Sequence, residues 1–472
     1  MFPTDLDTEH SMRFLHRPRP STSALAALLT PAPSDSYIPL HGSTSYTVEH
    51  YELDLQVRLA GNHLAGRAVI TARALVPLTH VDLDLIGVGM DKASVDGVRV
   101  LKHSALHGKL QLRLPTPLEA GTDFTMDIRY SGFPAPDDGE WGDVGWEELN
   151  DGVLVAGQPT GAPTWFPCND RADDKASYRF TVTTDADYTV VCNGVLTSQT
   201  KKSSRETWVY EQSAPMSTYL ATLQIGRYRL LSLPIPPGPA QVPITVAVSK
   251  KLQAKASLAL ARQREMLDVF TACFGPYPFD AYTVVVTEDV LEIPLEAQSL
   301  SILGSNHLER DWEAQRLIAH ELSHQWFGNS LTLASWRDIW LHEGFACYAE
   351  WLWSEESGSL SVLERAAAAH AKLLLEPNDV IIGDPGPTKM FDDVVYKRGA
   401  LALEAIRCAV GESLFFPLLQ RWAAQNQHGS VSTAAFVILA DQLCCEVSGF
   451  SAAAILTPWL YQQSIPPLPH RR

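Results

Sequence analysis

With 472 residues, the chain is too long for one ordinary domain, and its length predicts two or three domains. Its composition, 46% hydrophobic and 19% charged, is typical of a globular protein with substantial cores and excludes a largely disordered chain. The formal net charge of −17 argues against nucleic acid or an anionic membrane surface as a partner.

The first 40 residues are rich in Pro, Ser and Thr and predict a loosely ordered N-terminal tail over 1–40. An Ala/Leu stretch over 24–29 is short, lies between Pro20 and Pro31 and makes a poor signal peptide, and no apolar run reaches membrane-spanning length. The seven cysteines are odd in number and lack the spacing of a disulfide framework or a zinc ribbon. We therefore expect reduced thiols, a cytoplasmic location and no membrane partner.

The next region alternates apolar and polar residues, a pattern that predicts antiparallel strands with one face in a core. The clearest alternating runs are 51–57, 81–85, 110–114, 124–130, 178–183, 188–195 and 206–211. Between Pro134 and Asp151 an acidic segment shows no strand period and is interpreted as a loop. Together these patterns predict an N-terminal β domain over 41–228.

A Pro-rich segment over 233–239 predicts a loop or stiff connector, after which the apolar period becomes helical. Helices are predicted over 252–270, around 317–328 and 340–351, and over 396–410, 413–426, 433–444 and 451–462, the last interrupted at Pro458. Asp311 is the expected N-cap of the helix around 317–328 and Gly328 its stop. Strands over 284–287 and 299–303 are expected to flank a loop that contains Glu296, so the domain over 229–472 is predicted to be mostly helical with one small sheet.

The chemistry centres on His320-Glu321-Leu322-Ser323-His324 and on Glu343 downstream. Histidines four residues apart lie on one face of a helix, so both imidazoles can reach a single metal ion. Two histidines and one carboxylate, with a fourth position left for water, are the ligands of a catalytic zinc site. Glu321 is then free to act as general base towards that water. This ligand chemistry favours one Zn²⁺ per chain without excluding cobalt or manganese, and a helix carrying two histidines by chance is the alternative.

These residues carry a resemblance to a known family. HELSHQWFGN over 320–329, followed by WLHEGFA over 340–346, resembles the zinc aminopeptidase N family, gluzincins that include leukotriene hydrolases and puromycin-sensitive aminopeptidases. The family hallmark is HExxH, 18 further residues and Glu, and residues 325–342 supply that interval here. The resemblance implies His320, His324 and Glu343 as zinc ligands and Glu321 as general base. It also implies an N-terminal antiparallel β-sandwich or saddle-like domain followed by a thermolysin-like, mostly helical α+β catalytic domain.

Two further matches concern the substrate's amino end. The family's exopeptidase motif, Gly-x-Met-Glu-Asn, aligns with Ile-Pro-Leu-Glu-Ala over 293–297, which keeps the glutamate and replaces the glycine and asparagine. Glu296 is thereby implied to bind the α-ammonium group, with Glu292 as a neighbouring rival. Gln158 lies nine residues before Pro167, where the family places a Gln or Glu that reaches the same group. The plainer alternatives are an exposed loop carboxylate and a loop glutamine without a role.

The resemblance implies three more roles. Tyr396, in Tyr-Lys-Arg-Gly, matches the family's oxyanion-stabilising tyrosine, with arginine where lysine is common. Glu350 lies two helical turns beyond Glu343 and is implied to bind near the substrate amine. Asp338 is a candidate for supporting a metal ligand. The tryptophans of this region are expected to belong to the core rather than to the site: Trp326, Trp336, Trp340 and Trp351.

Together these residues predict a zinc aminopeptidase that acts on peptides with a free N-terminal amine. A zinc endopeptidase with the same metal site and a non-catalytic peptide-binding scaffold remain as alternatives. Many family members continue into a helical C-terminal domain that this short form would lack, which implies a more open cleft and disfavours epoxide hydrolysis. The preferred N-terminal residue, the physiological substrate and the oligomeric state are left open.

Overall fold

The computed structural model describes residues 35–235, 241–375, 377 and 379–470. The predicted loose tail therefore lies outside the described residues up to residue 34. Its last part differs from the prediction, because Tyr37 and Ile38 are buried. The Tyr37 hydroxyl donates a hydrogen bond to Asp384 Oδ1 at 2.6 Å, and Asp35 Oδ2 accepts one from the backbone N–H of Trp336 at 2.8 Å.

The first half of the described chain consists of strands. Their bounds are β1 Tyr46–Arg58, β2 His63–Ala74, β3 Leu78–Asp84, β4 Val88–Val95, β5 Val98–Arg99, β6 His103–Leu106, β7 Lys109–Leu118, β8 Asp123–Gly132, β9 Asp137–Gly139, β10 Gly142–Leu149, β11 Gly152–Ala156, β12 Ala176–Asp185, β13 Thr189–Cys192, β14 Val195–Lys202, β15 Arg205–Met216 and β16 Leu223–Gly226. They form an eight-stranded sheet (β14-β15-β12-β1-β2-β8-β4-β5), a five-stranded sheet (β13-β16-β11-β10-β9) and a three-stranded sheet (β3-β7-β6). Pairing is antiparallel throughout these sheets except between β1 and β12.

The predicted loop between Pro134 and Asp151 is wrong, because the structure places the β9–β10 hairpin there. Gly139 pairs with Gly142, and β10 also pairs with β11. The sequence period is hidden because acidic residues and glycines outnumber the apolar ones, of which Val144 and Trp146 point into the core. The Trp146 indole donates a hydrogen bond to Asn62 Oδ1 at 2.9 Å, which holds β10 against the rest of the β domain.

A second five-stranded sheet begins the catalytic half. Its strands are β17 Tyr228–Ser232, β18 Ile244–Ser249, β19 Tyr282–Val286, β20 Leu295–Ala297 and β21 Leu300–Leu303, in the order β17-β18-β19-β21-β20. The central strands β18, β19 and β21 run parallel, and β20 pairs antiparallel to β21 at the outer edge. A short parallel pair, β22 Thr332–Leu333 and β23 Ser430–Val431, completes the strands of the described residues. Glu296 therefore lies on a strand and not in the predicted loop.

The helices follow the prediction with four differences. Their bounds are α1 Gln253–Ala259, α2 Gln263–Phe274, α3 Trp312–Ser323, α4 Trp340–Glu356, α5 Val362–Leu373, α6 Asp393–Val410, α7 Glu412–Gln425, α8 Thr433–Leu443 and α9 Ala452–Tyr461. The predicted helix over 252–270 is two helices, and α5 was not predicted although Ser361 and Glu364 form a capping box at its start. Asp311 caps α3 as expected by accepting from the Ala314 N–H at 2.9 Å, but α3 ends at Ser323 and not at the predicted stop, Gly328. The predicted interruption at Pro458 is also wrong, because α9 continues through this residue.

The order of a strand-rich half followed by a mostly helical half confirms the predicted fold class. Trp326, Trp336, Trp340 and Trp351 are all buried, which confirms that they belong to the core. Within the described ranges, no helix combines the length and apolar character needed to cross a membrane.

Candidate metal centre and active site

Two helices bring the predicted metal ligands together. His320 lies in the last turn of α3 and His324 just beyond its end, while Glu343 lies in the first turn of α4. Glu343 Oε2 is 3.3 Å from His320 Nε2 and 3.6 Å from His324 Nε2. The three side chains each offer one ligand atom, and these atoms all lie within 4.8 Å of one another. All three residues are buried.

The other nitrogen of each imidazole is held from behind. His320 Nδ1 hydrogen-bonds Glu350 Oε1 at 2.8 Å, and His324 Nδ1 hydrogen-bonds the carbonyl oxygen of Phe327 at 3.0 Å. Such contacts fix the ring orientation and leave Nε2 of both rings free to bind a metal. The Nε2 atoms consequently converge on Glu343.

The predicted substrate contact of Glu350 does not fit this placement. The Glu350 carboxylate is 3% exposed and lies behind His320, and its second oxygen is 3.5 Å from the Arg316 guanidinium. Glu350 therefore holds a metal ligand in place instead of facing the substrate. Two helical turns from Glu343 bring it to the same helix face, but that face meets α3 at His320.

The charges of this cluster fit a divalent cation. Burial alone would lower the pKa of His320, but its contacts with Glu343 and Glu350 raise that pKa to about 9. In His324, Glu296 and Glu343 likewise outweigh burial and raise the pKa to about 10. The two imidazoles in turn lower the pKa of Glu343 against the effect of burial. Because buried carboxylates require positive charge nearby, a bound dication with neutral imidazoles satisfies the same demand.

Glu321 and Glu296 form a second acidic face of the same centre. Ligand atoms of Glu296, Glu321 and His324 also lie within 4.8 Å of one another. Burial, reinforced by the charges of Glu296 and Glu343, raises the pKa of Glu321 to about 8. Glu321 Oε2 and Glu296 Oε1 are buried without a hydrogen-bond partner among the described residues. Buried polar atoms of this kind are commonly satisfied by a ligand or by water.

Residues after the second histidine position Glu296. Gln325 Nε2 and Asn329 Nδ2 both donate hydrogen bonds to the Ala297 carbonyl oxygen, at 3.1 and 2.9 Å. Gln325 Oε1 also accepts from the Ser299 N–H at 2.8 Å. The run HELSHQWFGN therefore ties β20 to the end of α3 as well as supplying ligands. Glu292, the alternative to Glu296 as the ammonium-binding carboxylate, is exposed and takes no part in these hydrogen bonds.

Gln158 lies in the β domain, just after β11. It is half-buried, and its Nε2 has no hydrogen-bond partner within the described part of the chain. The preceding Gly157 lies against the backbone of Tyr219, where a Cβ would come within 2.3 Å of the Tyr219 carbonyl oxygen. Gln158 thus sits beside a tyrosine that itself faces the acidic centre.

Tyr219 was not predicted as a site residue. Burial and the nearby charges of Glu296 and Glu343 raise the pKa of its hydroxyl, which donates to the Gly328 carbonyl oxygen at 3.3 Å. Its sequence neighbours, Met-Ser-Thr before it and Leu-Ala-Thr after it, carry no motif that points to a site, so only the fold brings it to the metal centre.

Tyr396 lies in the first turn of α6 against the metal ligands. Its ring is stacked on His320 with a centroid distance of 5.9 Å and an interplanar angle of 19°. Burial together with Glu343, Glu296 and Glu321 raises the pKa of the phenol, so it stays protonated and can donate a hydrogen bond.

Asp338 does not contact a metal ligand in this structure. It is buried and accepts a hydrogen bond from Thr433 Oγ1 at 2.5 Å, and Thr433 also accepts from the Trp340 indole at 2.8 Å. Asp338 therefore ties α4 to α8, and the predicted support of a ligand is corrected to this structural contact.

Comparisons with known proteins agree with this geometry. The model described as "Peptidase M1 N-terminal domain" matches residues 47–220, and that described as "Peptidase family M1 domain" matches residues 258–459. An M1 zinc metallopeptidase from Deinococcus radiodurans is 32% identical with a TM-score of 0.84, and the match covers 93% of this chain and 99% of that one. A mutant of the Deinococcus protein bound to a Tyr-Ser-Ala substrate is 31% identical, with a TM-score of 0.85 and the same shares covered.

Curated relatives match over a shorter part of their length. Aminopeptidase N of Oryctolagus cuniculus is 27% identical over 352 residues, which are 68% of this chain and 36% of that protein. The chain thus spans about a third of the length of the curated relatives it matches most strongly. Both family models and a solved structure covered almost completely confirm the resemblance that the sequence motifs carry. The chain belongs to peptidase family M1, the M1 zinc metallopeptidases.

Proposed function

We propose that the protein is a zinc-dependent aminopeptidase, which removes the N-terminal residue from peptides. The observation that carries the proposal is the set of three carboxylates, Glu296, Glu321 and Glu343, around two imidazoles. Fully ionised, they hold three negative charges, which a divalent cation and one substrate ammonium group would balance. An endopeptidase needs no second cation there, so the charge of the cluster favours an exopeptidase.

His320, His324 and Glu343 would hold the zinc ion. When bound, zinc supplies Lewis-acid chemistry, polarising the scissile carbonyl and making water more acidic. Glu321 takes the proton of the attacking water on its carboxylate, whose Oε2 has no other partner among the described residues, and passes it to the leaving amine. Tyr396 donates its phenolic proton in a hydrogen bond to the carbonyl oxygen as negative charge develops there.

The amino end of the substrate sets the point of cleavage. Glu296 Oε1 is buried and unpartnered within the described residues, and accepts a hydrogen bond from the α-ammonium group. Gln158 supports this contact from the β domain through its side-chain oxygen, which adds no charge. Because the ammonium lies one residue from the scissile carbonyl, these contacts restrict cleavage to the first peptide bond.

Hydrolysis of paired substrates tests the proposal. Free-amine aminoacyl fluorogenic amides and their N-acetylated twins are compared with the wild-type protein, with Glu321→Gln and with Glu296→Gln. We expect cleavage of the free-amine set alone, a loss of 10² to 10⁴-fold in Glu321→Gln, on the order expected for a general base, and a raised KM in Glu296→Gln. Equal cleavage of the acetylated set would point to an endopeptidase, and no turnover by the zinc-loaded protein would point to a binding scaffold.

We also propose a location and a domain boundary for this protein. A cytoplasmic location is supported by the cysteines of the described residues, which form no disulfide with one another and of which Cys168, Cys192, Cys347 and Cys444 are buried. A boundary near residue 228 between the β domain and the catalytic domain is supported by the change from the strand-rich sheets to the sheet that begins at β17.

A further inference from the structure

The edge strand that carries Glu296 is closed at one end. Strand β20 pairs with β21 on one side only and is the outermost strand of its sheet. At its C-terminal end, the Ala297 carbonyl accepts hydrogen bonds from Gln325 and Asn329, and all three residues are buried. A peptide whose ammonium group binds Glu296 therefore cannot continue past Ala297.

The other end of β20 is open and leads into a loop, residues 289–294, with apolar side chains in solvent. Val290 is 74% exposed and Ile293 is 62% exposed. Single exposed apolar residues are common on protein surfaces, so exposure alone assigns no role. What distinguishes these two is that they lie just N-terminal to the strand that carries the ammonium-binding carboxylate.

The loop is held in place from both halves of the molecule. Asn306 accepts a hydrogen bond from the Leu291 N–H at 3.1 Å and donates one to the Leu291 carbonyl oxygen at 2.9 Å. Asp289 Oδ1 accepts from the side chain and the backbone N–H of Asn150, in the β10–β11 turn. A surface fixed in this way can bind a ligand without first losing conformational entropy.

These observations lead to a specific substrate preference. A bound peptide has its ammonium group at Glu296 and its first carbonyl at the metal ligands, and it must leave on the open side, past Pro294 and Ile293. We propose that Ile293, with Val290 beyond it, binds an apolar side chain on the residue after the scissile bond. The preferred substrates are then peptides with an apolar second residue, an inference that rests on the proposed aminopeptidase function.

Tripeptides that differ only at the second residue test the inference. Release of alanine from Ala-Leu-Ala and from Ala-Ser-Ala is measured with wild-type protein, Ile293→Gly and the control Leu101→Ser, which changes an 82% exposed leucine of the β domain. We expect kcat/KM to favour the leucine peptide by about tenfold, the lower range for an apolar contact in an enzyme pocket. In Ile293→Gly the ratio falls to about two. Both Leu101→Ser and Ile293→Leu, which keeps an apolar side chain at this position, retain the wild-type ratio.

Binding without turnover separates this inference from the proposed function. The dissociation constants of both peptides are measured by calorimetry with zinc-loaded Glu321→Gln, with and without Ile293→Gly. We expect the affinity to favour the leucine peptide over the serine peptide by the same ratio, and we expect this preference to be lost when Ile293→Gly is added. Equal kcat/KM and equal affinity for the two peptides, or a ratio that survives Ile293→Gly, would overturn the inference. If neither peptide releases alanine, the proposed function fails, and the affinity ratio alone decides on the apolar contact.

Discussion

Each imidazole of the metal centre is held by a different kind of acceptor. His320 Nδ1 meets the carboxylate of Glu350, whereas His324 Nδ1 meets the neutral carbonyl of Phe327. A carboxylate partner makes an imidazole a stronger electron donor and fixes its tautomer, so His320 is expected to be the better ligand of the two. Burial alone would raise the pKa of Glu350, but the charge of Lys397, the hydrogen bond with His320 and, to a smaller extent, the Arg316 guanidinium lower that pKa to about 2, so the carboxylate stays ionised.

Replacing Glu350 with glutamine is expected to weaken metal binding. The variant Glu350→Gln keeps the shape of the side chain and removes the charge behind His320, so zinc affinity should fall by about 10 to 100-fold. Competition with a fluorescent chelator measures the dissociation constant. Glu356→Gln, an exposed position on the same helix α4, is the matched control and should retain wild-type affinity. An unchanged dissociation constant in Glu350→Gln would return Glu350 to a role towards substrate.

At the scale of elements, the site depends on how closely α4 approaches α6. Gly344, next to Glu343, faces Gly399, one turn beyond Tyr396, and a Cβ on Gly344 would lie 2.8 Å from the Gly399 Cα atom. Backbone atoms on both sides cannot move aside as a flexible side chain would. The two glycines therefore let the helices cross close enough for Tyr396 to stack on His320.

Adding one methyl group at this crossing is expected to separate the helices. We expect Gly344→Ala to lower the free energy of unfolding by about 1–3 kcal/mol, the cost of overpacking a core, and to reduce kcat. Calorimetry and steady-state kinetics at matched zinc content measure the two effects. In Gly139→Ala, where nothing lies within 4 Å of the new Cβ, both quantities should stay near wild type. Wild-type kcat in Gly344→Ala would show that Tyr396 does not depend on this crossing.

At the scale of the whole molecule, a half-buried lysine joins the β domain to the catalytic half. Lys175 Nζ, just before β12, donates hydrogen bonds to the carbonyl oxygens of Asn329, Ser330 and Gly429 at 3.0, 2.8 and 3.3 Å. Two of these carbonyls belong to the segment after the second zinc histidine. The same segment holds β20, so the connection reaches the carboxylate expected to bind the substrate amine.

Removing the amino group of Lys175 is expected to destabilise the fold. Lys175→Met removes the only donor to the buried Ser330 carbonyl among the described residues, whereas the Asn329 and Gly429 carbonyls still accept from Thr332 at 3.3 and 3.1 Å. The free energy of unfolding should therefore fall by about 1–3 kcal/mol, the cost of one unsatisfied buried group. Urea denaturation followed by tryptophan fluorescence measures the change. Lys251→Met removes an exposed lysine paired with Glu288 and should cost less than about 1 kcal/mol. Equal stability of the two variants would exclude Lys175 as a connection between the halves.

The segment 35–41 provides a second, pH-dependent connection. His41 Nδ1 is 2.8 Å from Asp170 Oδ2, with Asp84 and Lys109 nearby. Burial opposes protonation, but Asp170 and Asp84 raise the pKa of His41 above 6.5. Because the folded state binds the proton more tightly than the unfolded chain, this group stabilises the fold fully below pH 6.5. The contribution is lost as pH rises through the raised folded-state pKa.

This sign can be measured by substitution. The wild type should exceed His41→Gln in free energy of unfolding at pH 5.5, and the difference should shrink steadily above pH 6.5. Denaturant unfolding at several pH values gives the difference directly, with His103→Gln, at an exposed position of β6, as the control for loss of an imidazole. A difference that grows with pH would mean that His41 is held as the neutral imidazole.

The pairing of His320 with His324 could be predicted from the sequence because its geometry is local, whereas Glu343 meets them only through the packing of α3 against α4. Zinc ligation by these residues and the general-base role of Glu321 stay predictions. Two histidines four residues apart share a helix face whatever surrounds the helix, and strand and helix periods likewise depend on neighbouring residues. The β9–β10 hairpin is local, but acidic residues and glycines hide its strand period. Tyr219, the contact of Glu350 with His320 and the Gly344–Gly399 crossing depend on residues far apart in the chain. Only the tertiary structure decides these long-range contacts, because the packing of α3, α4 and α6 against one another, and of Tyr219 against the segment after α3, determines which side chains meet.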